Sequence, residues 1–187
     1  MDNEQIKHII KRVQNGDSDA FAHLIHTYKE YVYALCFKLC QSQEDAEEVA
    51  QDTFVKAYKS IKTFKGKAKF STWLYRIAYF TSLNHLRKNK LKTTNEFAYE
   101  PSDASNSGLD KIRESERSYY LNKALEHLKP TERAVIVLFY LEDHSIEEIA
   151  AITKLSTSNT KVKLHRTKKK LYGILNALLK NEVNSLV

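Results

Sequence analysis

Glu48, Gln51 and Asp52 stand at i, i+3 and i+4, so a helix carries them on one face, away from Val49 and Ala50. Asp45 lies one turn earlier. An acidic, amide-bearing face of this kind suits a basic helical partner. Grouped carboxylates also suit a dinuclear metal, but such centres use Glu-x-x-His pairs on bundle helices, and that tetrapeptide does not occur in the chain. Further along, the chemistry changes sign. Lys65, Lys67, Lys69, Arg76, Arg87 and Lys88 are interleaved with Tyr75, Tyr79, Phe80 and Asn84. Aromatic rings give stacking faces for unpaired bases and lysines hold the backbone; extruded bases can be read on their edges. A third set is Thr157, Ser158, Asn159, Lys161, Lys163, His165 and Arg166. Asn and Arg make bidentate contacts to base edges, while Lys and Ser mostly fix phosphates.

Other constellations fail on spacing. Cys36 and Cys40 share a helix face and could give two zinc ligands, yet His26 lies about 15 Å back along the same helix. Buried, reduced thiols beside Leu35 and Leu39 are expected instead. His23 and His26 are expected at a helix edge. No phosphate-binding loop, dinucleotide fingerprint, Gly-x-Ser-x-Gly or His-Glu-x-x-His motif occurs. No nucleophile–base pair stands out, so neither catalysis, a cofactor nor a metal is expected.

The net charge of +7 conceals a segregation. Residues 53–95 contain no acid and eleven Lys or Arg; residues 156–180 contain no acid and seven. The remainder carries a net −11. Two basic segments on an acidic remainder fit a polyanion touched in two places. Each phosphate neutralised releases counterions, which makes binding steeply salt-dependent.

These side chains must be positioned by helices. In 187 residues there are 4 Gly and 2 Pro, too few for the turns of a sandwich or barrel. The apolar positions recur at helical spacing. Ile6, Ile9, Ile10 and Val13 give a first stripe, ended by Gly16. Asp17 or Ser18 is expected to cap a second helix with Phe21, Leu24, Val32, Leu35 and Leu39. Ser42 starts a third, with Ala46, Val49, Phe54 and Ala57. Ser71 or Thr72 is expected to cap a fourth, with Trp73, Leu74, Ile77 and Ala78, Trp73 facing the core. Residues 95–109 are polar and aperiodic, which predicts a flexible linker. The expected division is residues 1–92, a linker at 93–110, and residues 111–187. In the last part Pro130 opens a helix, Ser145 and Glu148 form a capping box, and Ser156, Thr157 or Ser158 caps a long helix bearing Val162, Leu164, Leu171 and Ile174. A short capped helix, a tight break and a basic second helix make a helix-turn-helix pattern. The polar start is unlike a signal peptide, and the longest apolar run, 134–141, is too short to span a bilayer. An all-α, cytoplasmic protein of two small helical domains, with no membrane insertion, is expected.

Taken in order, four segments resemble the sigma-70 family of RNA polymerase sigma factors, in its short two-domain extracytoplasmic-function (ECF) form. Asp45 to Phe54 is similar to the region 2.2 signature. Phe70 to Ala78 is similar to the run joining regions 2.3 and 2.4. Leu128 to Arg133 is similar to the opening of region 4.1, and Ser145 to Leu171 to the region 4.2 helix-turn-helix. The chain has Phe80 where the family usually has Asn, Asn84 for Asp, Ser158 for Gly and Thr160 for Val.

The resemblance implies a region 2 domain and a region 4 domain. It implies that Asp45, Glu48, Gln51 and Asp52 meet the β′ clamp helices of core RNA polymerase, and that the β flap is a second contact. Promoter DNA is then opened and held at the minus-ten element by the set from Lys65 to Lys88, and at the minus-thirty-five element by the set from Thr157 to Arg166. An anti-sigma factor is a possible further partner. Two rival readings are a helix-turn-helix regulator acting without polymerase, and a metal-dependent nuclease.

Overall fold

The computed structural model describes residues 2–90 and 114–185. Every regular element among them is helical. A first unit holds α1 (Asn3–Gln14), α2 (Phe21–Cys40), α3 (Gln43–Ser60) and α4 (Phe70–Lys90), with a 3-10 turn at Ile61–Thr63. A second holds α5 (Glu114–Glu126), α6 (Pro130–Tyr140), α7 (Ile146–Thr153) and α8 (Thr157–Ser185). The expected linker at 93–110 and the boundaries on either side of it lie outside the described residues. No described helix is long and apolar enough to cross a membrane.

Local chemistry starts and stops these helices. Asp2 and Gln5 cap α1 reciprocally, each side chain accepting the other's backbone N–H. Gly16, at φ 105°, turns the chain after it. Ser42 caps α3 by accepting the Asp45 N–H at 3.2 Å. The Ser145–Glu148 box starts α7, and Ser156 caps α8 by accepting the Asn159 N–H at 3.2 Å. Two starts differ from expectation. Asp17 accepts the Ala20 N–H at 3.1 Å and so closes the turn before α2, which begins at Phe21 without a side-chain cap. α4 begins at Phe70, so neither Ser71 nor Thr72 is its cap. The reason is an aromatic anchor: the Phe70 ring lies 5.5 Å from Trp73, 5.6 Å from Phe64 and 5.5 Å from Tyr28. That cluster fixes the first turn from inside, and Trp73 packs against the core within it.

α2 is the axis of the first unit. Its Leu24, Val32, Leu35, Cys36 and Leu39 are fully buried. α3 meets it with small residues, Ala46, Ala50, Thr53 and Ala57, which let helix backbones approach closely. The Thr53 hydroxyl donates to the Val49 carbonyl at 2.7 Å, so this buried polar group has a partner. Cys36 and Cys40 are free and buried. Burial pushes their thiols up to about 12 and about 11, so they stay protonated, as inert core groups. His23 and His26 are exposed.

The second unit lies directly against the first, with α6 on α2 and α7 on α4. Arg133 of α6 is only 5% exposed. Its guanidinium donates to Leu39 O at 2.8 Å and Lys38 O at 3.5 Å, at the C-terminus of α2, and to Leu128 O at 3.1 Å within its own unit. A cation there meets the negative end of the α2 dipole and the carbonyls a helix end leaves unpaired. Nearby, Lys38 Nζ donates to Asn122 Oδ1 at 2.6 Å.

Two stability changes follow. Leu35→Ala empties a fully buried site and should cost about 2–5 kcal/mol, read as a lower urea midpoint by circular dichroism. Gln41 ends α2 in the left-handed region, at φ 60°. Gln41→Gly removes that strain, and the midpoint should rise by an equivalent of about 0.5–1 kcal/mol.

Candidate nucleic-acid interface

The acidic face of α3 divides in two. Glu48 and Asp52 are well exposed, with side chains 67% and 57% accessible, and Gln51 is exposed beside them. Asp45 departs from expectation. It is half-buried, and its Oδ1 lies 2.7 Å from His85 Nε2 on α4, so it ties α3 to α4 instead of standing free. His85 Nδ1 lies 3.9 Å from Glu48. Asp45, Glu48 and His85 thus bring three metal-ligating atoms within 4.8 Å of one another, which the sequence concealed because His85 is 40 residues from Asp45. The Asp45–His85 hydrogen bond across α3 and α4 accounts for the grouping. Gln51 also borders an apolar groove between α2 and α3, floored by Phe21, Phe54 and Tyr58.

The connector and α4 form the second surface. Lys65, Lys67, Arg76, Phe80 and Asn84 line one open cleft of about 690 Å³, with Trp73 and Phe64 in its wall. Gly66, at φ 69°, turns the connector at its rim. Lys56 and Lys154 also line the cleft; neither was picked out in the sequence, Lys154 because it arrives from α7. Lys69 is exposed, but its Nζ lies 2.8 Å from Glu148 of α7. Arg87 and Lys88 are exposed further along α4.

Two expected strand readers are not on the surface. Tyr75 and Tyr79 are 5% and 3% exposed. Tyr75 donates its hydroxyl to Glu142 Oε2 at 3.4 Å and meets His144 edge-on at 5.0 Å. Burial raises the Tyr75 and Tyr79 hydroxyls and the Glu142 carboxyl, and lowers His144. Tyr79 packs against Phe80 at 5.0 Å. In this arrangement the two tyrosines serve packing, because α4 is covered both by its own unit and by α7.

The third surface is α8. Thr157, Ser158, Asn159, Lys161, His165 and Arg166 are exposed and Lys163 is half-buried, while Thr160, Leu164 and Thr167 turn inward. Val162 was expected in the apolar stripe, yet it is 48% exposed among the basic residues. An exposed aliphatic group on a reading helix suits a thymine methyl. α7 packs against α8 across a turn at Lys154, φ 59°, which completes the helix-turn-helix. Behind α8, Leu121, Leu125, Ile136, Leu141 and Leu175 line an apolar groove of about 520 Å³.

Comparison with known proteins matches both helical units. The sigma-70 region 2 model matches residues 24–92 and the sigma-70 region 4 model residues 118–171. The chain is 33% identical over 180 residues to the ECF RNA polymerase sigma factor SigW of Bacillus subtilis (strain 168), covering 89% of this chain and 94% of that protein. It is 27% identical to the RNA polymerase sigma-H factor of Pseudomonas aeruginosa, covering 95% and 97%. It is 29% identical to the ECF sigma-E factor of Escherichia coli (strain K12), covering 92% and 95%. Among solved structures, CnrH in complex with the cytosolic domain of CnrY superposes with a TM-score of 0.66 at 25% identity, over 94% of this chain and 99% of that one. RpoE of Bartonella quintana, solved with the anti-sigma factor NepR, shares the fold at a TM-score of 0.64 and 22% identity, over 83% and 96%. With both regions matched in order and its curated relatives covered almost end to end, the chain belongs to the sigma-70 family of RNA polymerase sigma factors, in its ECF branch.

Proposed function

We propose a division of labour among the three surfaces. The exposed Glu48, Gln51 and Asp52 of α3, with Asp45 behind them held by His85, meet the polymerase clamp. The cleft of Lys65, Lys67, Arg76, Phe80 and Asn84 takes the minus-ten strand, with Arg87 and Lys88 extending it along α4. α8 enters the major groove at the minus-thirty-five element, its exposed N-terminal half leading. The apolar groove behind α8 suits an apolar helix of the β flap. Residues 1–92 and 111–187 are the two functional domains, and 93–110 spans them. The chain performs no covalent chemistry and lends sequence preference to the polymerase. It acts where polymerase and promoter are, in the cytoplasm. CnrH is held by the cytosolic domain of CnrY, and a protein partner of the anti-sigma kind is proposed here too.

The observation that carries this reading is the pairing of two basic surfaces, α4 and α8, with one exposed acidic face on α3. A regulator that bound operators alone would have no use for the acidic face. Run-off transcription with core polymerase on a randomised promoter library tests the whole: promoter-specific transcripts are expected, and their absence sinks it.

Two variant pairs test the surfaces separately. Glu48→Lys with Asp52→Lys reverses the charge of the α3 face. It should weaken polymerase binding about tenfold or more, an equivalent of about 1.4 kcal/mol, with helical content unchanged; equal retention on immobilised polymerase removes that face from the interface. Lys161→Ala and Arg166→Ala should each weaken upstream duplex binding and lower the salt slope by about 1. A titration across salt concentrations with unaltered slopes for both would show that α8 does not lie against phosphate.

A further inference from the structure

We propose that Val162 is a specificity-determining residue at the centre of α8, and that it selects a thymine in the minus-thirty-five duplex through the 5-methyl group. This rests on the reading of α8 as a major-groove helix, and deepens it by naming the base.

The fold leaves Val162 outside. It is 48% exposed, while Thr160, Leu164 and Thr167 hold the inward face of α8. Successive helix residues are ~100° apart around the axis, which sets Val162 roughly 170° from the line those three define. It therefore stands on the outermost line of the helix. Ser158 and His165 lie to one side of it and Asn159 and Arg166 to the other, each within about 60°, and all four are exposed. Lys161 and Lys163 lie ~100° to either side, placed for the two phosphate backbones that wall a groove. A lone exposed valine is ordinary on a protein surface. This one holds the middle of a polar reading face, where a helix entering a groove reaches deepest. From Thr157 to Arg166 it is the only exposed side chain made wholly of hydrocarbon. The helix gains nothing from it locally, since a β-branched residue loses rotamer freedom there and Ala or Lys serves a solvated position better.

The major groove offers one apolar counterpart. Every base pair presents donors and acceptors on that edge, but only thymine adds a methyl group. Packed on that methyl, Val162 removes hydrocarbon from water on both sides of the contact. Over a G·C pair the same side chain would strip water from guanine N7 and O6 and from the cytosine amine, and return no hydrogen bond to any of them. The polar residues on either side then read the neighbouring pairs.

Deoxyuridine pairs as thymine does and lacks only the methyl group, so it tests the contact from the DNA side. A duplex selected from a randomised library by the full chain is titrated by fluorescence anisotropy, with each thymine replaced in turn by deoxyuridine. One replacement should weaken binding about three- to fivefold, and the others little. Val162→Ala favours the helix and leaves the lysines in place. It should weaken binding of the thymine duplex by a similar factor and lose all response to that replacement. Val162→Thr keeps one of the two methyl groups and should keep part of the discrimination. The proposal is overturned if no single replacement matters, or if Val162→Ala still tells thymine from deoxyuridine by the full factor. The salt titrations of Lys161→Ala and Arg166→Ala separate this from the reading of α8. Lowered slopes without a methyl effect leave α8 in the groove and remove Val162 alone, whereas unaltered slopes remove α8 and Val162 together.

Discussion

One buried cation organises how the two units meet. The Arg133 guanidinium has little access to water, and burial lowers it to about 10, still charged at neutral pH. Its partners are backbone carbonyls: Lys38 and Leu39 at the end of α2, and Glu126 and Leu128 in the turn between α5 and α6. A buried charge without such partners costs several kcal/mol, so the site demands that α2 end there and that α6 lie across it. Gln41 makes that ending possible by taking the left-handed conformation, which stops α2 and leaves those carbonyls open to Arg133. The position of α7 on α4 follows, because α6 and α7 are joined by a loop of five residues.

The same geometry sorts the two basic segments. Both are acid-free in sequence and look alike as charge. In the fold, the α4 segment gives up one lysine, Lys69, to Glu148 of α7, whereas the basic residues of α8 make no such pairing at its exposed N-terminal half. α7 carries Glu147 and Glu148 in its first turn, favoured there by the helix dipole and available to the lysines of the connector. The acid that starts the helix-turn-helix thus also serves the contact between units.

Much of this was legible in the sequence because it rests on local rules. The Ser42 cap, the Ser145–Glu148 box, Pro130 at a helix start and the buried thiols are settled within a turn or two of chain. What failed to show depends on distant partners. Tyr75 and Tyr79 sit at i and i+4, a spacing that serves a reading face or a packing face equally well. They turned inward because α4 is buried on two sides, with Leu74, Ala78, Thr81 and Ser82 also hidden. Asp45 shares the signs of an exposed acidic face, and only the fold brings His85 to it. Val162 is as apolar as a core residue, yet the inward face of α8 is taken by Thr160, Leu164 and Thr167, which leaves it outside. Lys154 carries no signal of its own; its role comes from the surface opposite it.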